Sequence, residues 1–193
     1  MRQDTKKRIL ETGAEIIHLK GFNHTGIQEI LNAAGVPKGS FYNYFRNKED
    51  FGLQVIDFFI EYFNGSAMNI LENASVPPLE RINQILNGFI DFFRTKEYTY
   101  GCPIGNLAQE MGDLSPAFRE KLQEAIDSMA KHYMNVLEEA QASGTLSKDL
   151  NVRDTAYFIV SSWHGALIRM KIEKGPEPLE NHRQFILNHI LKG

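Results

Sequence analysis

The sequence predicts an all-α protein of about nine helices, with a three-helix head at the N-terminus and a larger helical bundle after it. Apolar residues recur along almost every segment at the three- and four-residue spacing of an amphipathic helix. Glycines and prolines divide the chain at helix length, and no alternating strand pattern of useful length occurs. A composition of 42% hydrophobic and 23% charged residues is typical of a globular fold rather than of disorder.

The head is predicted from signals that begin and end short helices. Gly21 ends the first helix. Thr25 has the position of an N-cap with Gln28 three residues later, which predicts a capping box at the start of a second helix. Pro37 suits the first position of a third helix, over about residues 37–44, because its missing N–H would be unpaired there in any residue.

Six further segments are predicted as helices. Asn47 with Asp50 three residues on begins the first of them. The predicted spans are Lys48 to about Asn73, Leu79 to Thr95, a short helix through Met111, Ser115-Pro116 to about Ala142, Asn151 or Asp154 to Glu173, and Pro178 to Leu191.

The charge distribution is uneven along the chain. Residues 1–50 contain eight Lys/Arg and six Asp/Glu, a net charge of +2, while residues 51–193 contain thirteen and eighteen, a net charge of −5. A small basic head on an acidic body is compatible with nucleic-acid binding by the head alone. No signal peptide or membrane-spanning segment is expected, and a single cysteine, Cys102, fits a reducing cytoplasm.

The second and third helices form a helix-turn-helix pattern, joined by a short turn that contains Gly35. The third helix begins with Lys38-Gly39-Ser40, a cation for phosphate followed by two small residues that let the backbone approach DNA closely. Thr25, before the second helix, is expected to present its hydroxyl and backbone N–H to a phosphate.

These residues carry a family resemblance. The pattern Thr25-x-x-x-x-Ile30-x-x-x-Ala34-Gly35-Val36-x-Lys38-Gly39-Ser40-x-Tyr42-x-Tyr44-Phe45-x-x-Lys48-Glu49 resembles the DNA-binding signature of the TetR family of bacterial repressors, over roughly residues 5–52. Tyr44 stands where members often have His, and Gly26 where Ser or Thr is common. The resemblance implies phosphate contacts by Thr25, Lys38, Tyr42 and Lys48, with a phosphate or sugar contact at Tyr44, and places Gln28, Gly39, Ser40 and Asn43 nearest the base edges.

Two of these side chains suit adenine. Asn and Gln can each form a pair of hydrogen bonds with the adenine edge in the major groove. We therefore expect Asn43 or Gln28 to recognise an A·T pair, although Asn is also a common polar surface residue.

The resemblance further implies a ligand-responsive repressor that binds a palindromic operator as a homodimer. The last two helices of each chain would form the dimer interface. Gly165 allows close helix approach, and apolar side chains surround it. The candidate interface residues are Phe158, Gly165, Ala166, Leu167, Phe185, Ile186 and Ile190. The alternative is that some of them complete the core of the single chain.

An effector pocket is expected in the bundle, because ligand cavities are lined mainly by apolar and aromatic groups with few polar anchors. The candidate lining residues are Phe63, Phe89, Phe92, Met111, Trp163 and, as a polar anchor, His164. Core packing is the alternative for each aromatic residue.

Cys102 precedes Pro103 at a predicted helix N-terminus, where the helix dipole favours the thiolate. The run from Gly101 to Glu110 also resembles a segment of TetR-family repressors that sense electrophiles through a nearby cysteine. Release by an electrophile is therefore a second possibility beside release by a bound ligand; an inert, packed cysteine is the alternative.

Other classes of protein have weaker support. Glu15 and His18 have the Glu-x-x-His spacing of di-iron bundles, but a second such pair is missing. No catalytic, metal or cofactor site is expected, and a purely structural or protein-binding bundle is the remaining alternative. The predicted organisation is a DNA-binding domain over residues 1–47 and a ligand-binding and dimerisation domain over residues 48–193.

Overall fold

The computed structural model describes residues 2–192, with the backbone alone for residues 2–3 and 66–68. Within that range the chain forms eight α-helices and one 3-10 helix and no strand, which confirms the predicted fold class. The helices are α1 (Arg2–Lys20), α2 (Ile27–Ala33), the 3-10 helix (Lys38–Asn43), α3 (Lys48–Leu71), α4 (Pro78–Thr95), α5 (Pro103–Met111), α6 (Pro116–Ala142), α7 (Val152–Glu173) and α8 (Glu177–Phe185), which a π turn (Ile186–Ile190) extends.

The packing divides the chain into two compact units. The first contains the residues up to Phe63 together with Pro103–Ala125, and the second contains Asn64–Cys102 and the residues from Ile126 onward. The first unit therefore holds α1, α2, the 3-10 helix, α5 and the first parts of α3 and α6.

Local side-chain chemistry begins several helices as predicted. The Asn47 side chain accepts a hydrogen bond from the Asp50 backbone N–H at 2.8 Å, and Asp50 in return accepts one from the Arg46 N–H at 2.9 Å. Asn151 accepts from the Asp154 N–H at 3.1 Å and is the N-cap of α7. These bonds satisfy N–H groups that have no partner within the helix.

Two predictions about the head are wrong in detail. Gly26, not Thr25, is the N-cap of α2, and it makes no side-chain hydrogen bond. The capping box is absent because the Thr25 hydroxyl donates to the Gly21 carbonyl and the Gln28 side chain bonds Asn32. The third helix is a 3-10 helix, and Pro37 is its N-cap rather than its first residue.

The first unit is built around a cluster of phenylalanines. Phe41 on the 3-10 helix lies with its ring centroid 5.0 Å from that of Phe45 and 5.6 Å from that of Phe51, and all three side chains are buried. Gly52 makes room beside them, since a Cβ there would lie 2.5 Å from ring atoms of both Phe22 and Phe118. The 3-10 helix is thus fixed from one side by aromatic packing.

In the second unit, the side chain of Arg81 is almost fully buried and links three elements. Its Nε donates to the Val76 carbonyl at 2.7 Å, and its Nη1 donates to the Leu71 carbonyl at 3.0 Å and lies 2.9 Å from the Glu139 carboxylate. These contacts join the end of α3, the start of α4 and α6. One buried cation therefore satisfies two backbone carbonyls near the break between α3 and α4.

Candidate nucleic-acid interface

The 3-10 helix presents a polar face opposite its buried phenylalanine. Lys38, Gly39, Tyr42 and Asn43 are exposed, and Tyr42 keeps 65% of its surface accessible. A Cβ added at Gly39 would meet no atom within 4 Å, so the backbone here is open to a partner. This face has the exposure required of residues that contact DNA.

The neighbouring candidates differ in how freely they are presented. Ser40 and Tyr44 are partly exposed, and the Tyr44 ring centroid lies 6.3 Å from that of Phe45. Gln28 on α2 is exposed, and its Nε2 donates to Asn32 Oδ1 at 2.7 Å. That hydrogen bond orients the Gln28 amide.

Thr25 is placed differently from its neighbours. It is only 1% exposed, and its Oγ1 donates to the Gly21 carbonyl at 2.7 Å. The hydroxyl therefore stabilises the turn between α1 and α2. Gly21 in that turn has φ +87°, a conformation in which glycine is favoured.

Lys48 at the start of α3 lies against the same turn. Its Nζ is 3.4 Å from the Asn23 carbonyl and 4.5 Å from the centroid of the Phe22 ring. Partial burial lowers the pKa of Lys48, and the negative charge of Glu110 opposes that change. The Lys48 ammonium is thus held against the turn between α1 and α2.

Two residues that support the head carried no signal in the sequence. Arg8 on α1 donates from Nη2 to the Ala34 carbonyl at 2.7 Å and the Gly35 carbonyl at 3.2 Å, which fixes the turn of the helix-turn-helix. Glu110 on α5 accepts hydrogen bonds from the backbone N–H groups of Phe22 and Asn23, both at 2.7 Å. Their partners lie 26 to 88 residues away along the chain, so short-range patterns could not reveal them.

The candidate ligand residues fall into both units. Phe63 and Met111 belong to the first unit, where the Met111 sulfur accepts a hydrogen bond from Asn23 Nδ2 at 3.5 Å. The second unit contains the remaining candidates, Phe89, Phe92, Cys102, Trp163 and His164.

Within the second unit, Trp163 is the centre of an aromatic group. Its ring centroid lies 6.1 Å from that of Phe89 and 5.2 Å from that of His182. His182 also lies 2.9 Å from the Ser162 hydroxyl, and burial lowers the pKa of His182 to about 4. Burial lowers the pKa of His164 as well, and its Nε2 is buried with no hydrogen-bond partner among the described residues.

The candidate dimer residues divide between surface and core. Phe158, Gly165 and Phe185 are exposed and Ile190 is partly exposed. Ala166, Leu167 and Ile186 are buried within the chain itself, where they pack in the second unit. The exposed apolar residues Ile168 and Ile172 on α7 extend the surface that Phe158 and Gly165 begin.

The part of the chain that the structure describes also bears on metal binding and membrane insertion. No group of three or more His, Cys, Asp or Glu side chains there is arranged to hold a metal ion. His18 instead packs its ring edge-on against Phe59, with the centroids 5.7 Å apart. None of the described helices is long and apolar enough to cross a membrane.

A helix-turn-helix with an exposed polar second helix on a three-helix head, joined to a helical bundle, defines a class of DNA-binding transcriptional regulators. The sequence model described as "Bacterial regulatory proteins, tetR family" matches residues 9–55, and that described as "Tetracyclin repressor-like, C-terminal domain" matches residues 78–186. The chain belongs to the TetR family of bacterial transcriptional regulators, as the resemblance in the head predicted.

Individual relatives agree with this assignment. The chain is 34% identical over 190 residues to the HTH-type transcriptional repressor DhaR of Mycobacterium sp. (strain GP1), covering 98% of this chain and 94% of that protein. The crystal structure of regulatory protein TetR from Rhodobacter sphaeroides matches with a TM-score of 0.89 and 36% identity, over 95% of this chain and 97% of that one. The reduced form of NemR from Escherichia coli matches with a TM-score of 0.88 and 28% identity, over 95% of each chain.

Proposed function

We propose that this protein is a homodimeric, effector-responsive transcriptional repressor that binds a palindromic operator through its 3-10 helix and α2. The observation that carries the proposal is the contrast in burial along the 3-10 helix. Phe41 is fully buried, while Lys38, Gly39, Tyr42 and Asn43 are exposed. Residues 1–47 would form the DNA-binding domain, and residues 48–193 the ligand-binding and dimerisation domain. A protein with this function would act in the cytoplasm, where bacterial DNA lies.

The proposed contacts follow from chemistry and exposure. Lys38, Tyr42, Tyr44 and Lys48 supply cations or hydroxyls for phosphates, and phosphate contacts set position rather than sequence preference. Gly39 and Ser40 allow the backbone to approach the groove, and Gln28 and Asn43 present amides to base edges. Thr25 contributes by holding the turn before α2, because its hydroxyl donates to the Gly21 carbonyl and its N–H donates to the Phe22 carbonyl at 3.3 Å.

The proposal predicts a sequence-selective complex that Asn43 helps to specify. The wild-type protein should select a palindromic site from a random-sequence DNA pool, with half-sites about 34–36 Å apart or a multiple of that distance. Asn43→Ala should lower affinity for that site by about 1–3 kcal/mol and relax the preference at one position in each half-site. Repeating the selection with the variant measures both effects. Uniform weakening on all sequences would contradict base recognition by Asn43, and no selected sequence would contradict the function.

Dimerisation is proposed through one exposed face of α7 and the end of α8. Phe158, Gly165, Ile168 and Ile172 follow one another at helical spacing on α7, and Ile172 is 75% exposed. Nothing lies within 4 Å of a Cβ added at Gly165, so a second helix can approach closely there. An apolar stripe of this kind on a single chain is typical of a subunit interface. Sedimentation at the mass of one chain rather than two would contradict it.

Release from DNA is proposed to follow effector binding in the bundle. The aromatic group around Trp163 and the unpaired His164 Nε2 support a mostly apolar effector with one polar group. An effector acts only if it binds the DNA-incompetent conformation more tightly. A coupling free energy of about 1–3 kcal/mol would weaken operator binding roughly 5- to 150-fold.

An electrophile is the alternative effector, with Cys102 as the reacting group. The thiol is partly exposed and directly precedes Pro103, the first residue of α5. N-ethylmaleimide should then release the wild-type protein from its selected site, and Cys102→Ser should abolish that response while it leaves affinity in the absence of reagent unchanged. A gel shift with both proteins measures this. An equal response from Cys102→Ser would contradict thiol sensing.

A further inference from the structure

Glu110, in the last turn of α5, accepts two short hydrogen bonds from the backbone of the turn that precedes α2. Its Oε2 accepts from the Phe22 N–H at 2.7 Å, and its Oε1 accepts from the Asn23 N–H at 2.7 Å. The carboxylate is half-buried. A bidentate, charge-assisted contact of this kind is stronger and more directional than a bond between neutral groups.

The turn is shaped to receive this carboxylate. Gly21 has φ +87°, and a Cβ at that position would lie 2.9 Å from Glu110 Oε2. Two other groups of the turn are bonded locally, since the Gly21 N–H donates to the Ile17 carbonyl and the Thr25 hydroxyl donates to the Gly21 carbonyl. Glu110 supplies the acceptors for the N–H groups of Phe22 and Asn23.

The same turn positions groups that the proposed function uses. The Phe22 ring packs against that of Phe118 with centroids 4.9 Å apart, and Lys48 Nζ lies over the Phe22 ring, 4.5 Å from its centroid. A single bond between side chains joins the same segment to the start of α3, since the Ser115 hydroxyl donates to Glu49 Oε1 at 2.6 Å. The segment from Glu110 to Ser115 thus holds both the entry to α2 and the entry to α3.

We infer that Glu110 is a positioning residue for DNA binding, which fixes the turn between α1 and α2 and, through it, the orientation of α2 and Lys48 toward DNA. The inference rests on the proposed DNA-binding function. It makes operator affinity depend on the place of α5, a helix outside the helix-turn-helix, because moving the carboxylate by about 1 Å takes both bonds beyond hydrogen-bond distance.

The sign of the effect separates this role from simple electrostatics. A carboxylate near a DNA-binding surface repels phosphates, so removing its charge should strengthen DNA binding if charge alone mattered. If Glu110 positions the turn, removing its charge should weaken sequence-specific binding instead. Glu120 on α6 is an exposed carboxylate in the same compact unit and provides a matched control.

The experiment compares Glu110→Gln with Glu120→Gln on the fragment that the wild-type protein selects from a random pool and on a scrambled fragment. Glu110→Gln should lose roughly tenfold in affinity for the selected fragment, because its amide has a single acceptor oxygen: one of the two N–H groups loses its acceptor, and the other bond becomes a weaker neutral one. Both variants should bind the scrambled fragment equally, and Glu120→Gln should bind the selected fragment at least as tightly as the wild-type protein.

Amide hydrogen exchange gives a readout independent of DNA. In Glu110→Gln, the Phe22 and Asn23 amides should exchange faster than in the wild-type protein, while the Ile30 amide in α2 should not change. Unchanged exchange at Phe22 and Asn23, or equal affinities of the two variants for the selected fragment, would overturn the inference. Failure of the wild-type protein to select any sequence would instead overturn the proposed function, and the exchange measurement would still test the contact.

Discussion

Replacing Phe41 with alanine is expected to destabilise the head strongly and to weaken operator binding as a result, whereas replacing its neighbour Tyr42 is expected to affect DNA binding alone. Phe41 is fully buried, and its ring lies within 5.6 Å of the rings of Phe45 and Phe51. Removing a buried phenylalanine costs about 3–5 kcal/mol, from lost transfer free energy and the cavity that remains. For a chain of this size, that loss lowers the Tm by about 6–20 °C.

The matched variant is Tyr42→Ala, on the same 3-10 helix. Tyr42 is 65% exposed, so its removal should change the free energy of unfolding by less than about 0.5 kcal/mol. It should still weaken binding to the selected DNA, because the phosphate contact proposed for Tyr42 is lost. Thermal unfolding by circular dichroism and a gel shift measure the two effects separately. Equal Tm values for the two variants would show that Phe41 does not anchor the 3-10 helix.

The helices of this fold could be predicted from the sequence because the signals that define them are local. Periodicity and caps are local signals, so Gly21, Asn47 and Asn151 marked helix ends close to where the structure places them. The inward and outward residues of Lys38–Asn43 also follow from helical spacing, although the helix is of the tighter 3-10 type. Even so, the sequence alone did not distinguish an α-helix from a 3-10 helix over six residues.

Predictions failed where a local pattern competed with another local bond. Thr25 and Gln28 match a capping box, but the Thr25 hydroxyl bonds back to the Gly21 carbonyl instead. The conformation of Gly21 brings that carbonyl within reach, and a capping pattern contains no information about it.

Contacts between distant segments were the other features that could not be predicted. Glu110 and Arg8 bind backbone groups 88 and 26 residues away, and both are charged residues of ordinary appearance in the sequence. The sequence also could not show which apolar residues of α7 and α8 are buried and which are exposed. Ala166, Leu167 and Ile186 match their exposed neighbours in chemistry, and only the packing of the second unit shows that they are buried.

Arg81→Ala is expected to destabilise the second unit strongly. Arg81 is 3% exposed, and its guanidinium satisfies the carbonyls of Leu71 and Val76 as well as pairing with Glu139. Alanine would leave two backbone carbonyls without their donor and open a cavity beside them. We expect a loss of roughly 3 kcal/mol, because each unsatisfied buried acceptor costs about 1–3 kcal/mol, and hence a Tm lower by about 6–12 °C.

Two further variants distinguish the hydrogen bonds of the buried Arg81 guanidinium from the effect of a positive charge alone. Arg81→Lys keeps the charge but cannot donate in three fixed directions, so its Tm should fall between those of the wild-type protein and Arg81→Ala. Arg119 on α6 also donates to a backbone carbonyl, that of Gly112 at 3.0 Å, but in an exposed position. Arg119→Ala should therefore change stability by only about 0.5 kcal/mol. Thermal unfolding at one protein concentration compares all three variants, and equal losses of stability for Arg81→Ala and Arg119→Ala would contradict the importance of burial.

Because Arg81 lies outside the proposed DNA-binding residues, Arg81→Ala should retain operator affinity at temperatures where it remains folded.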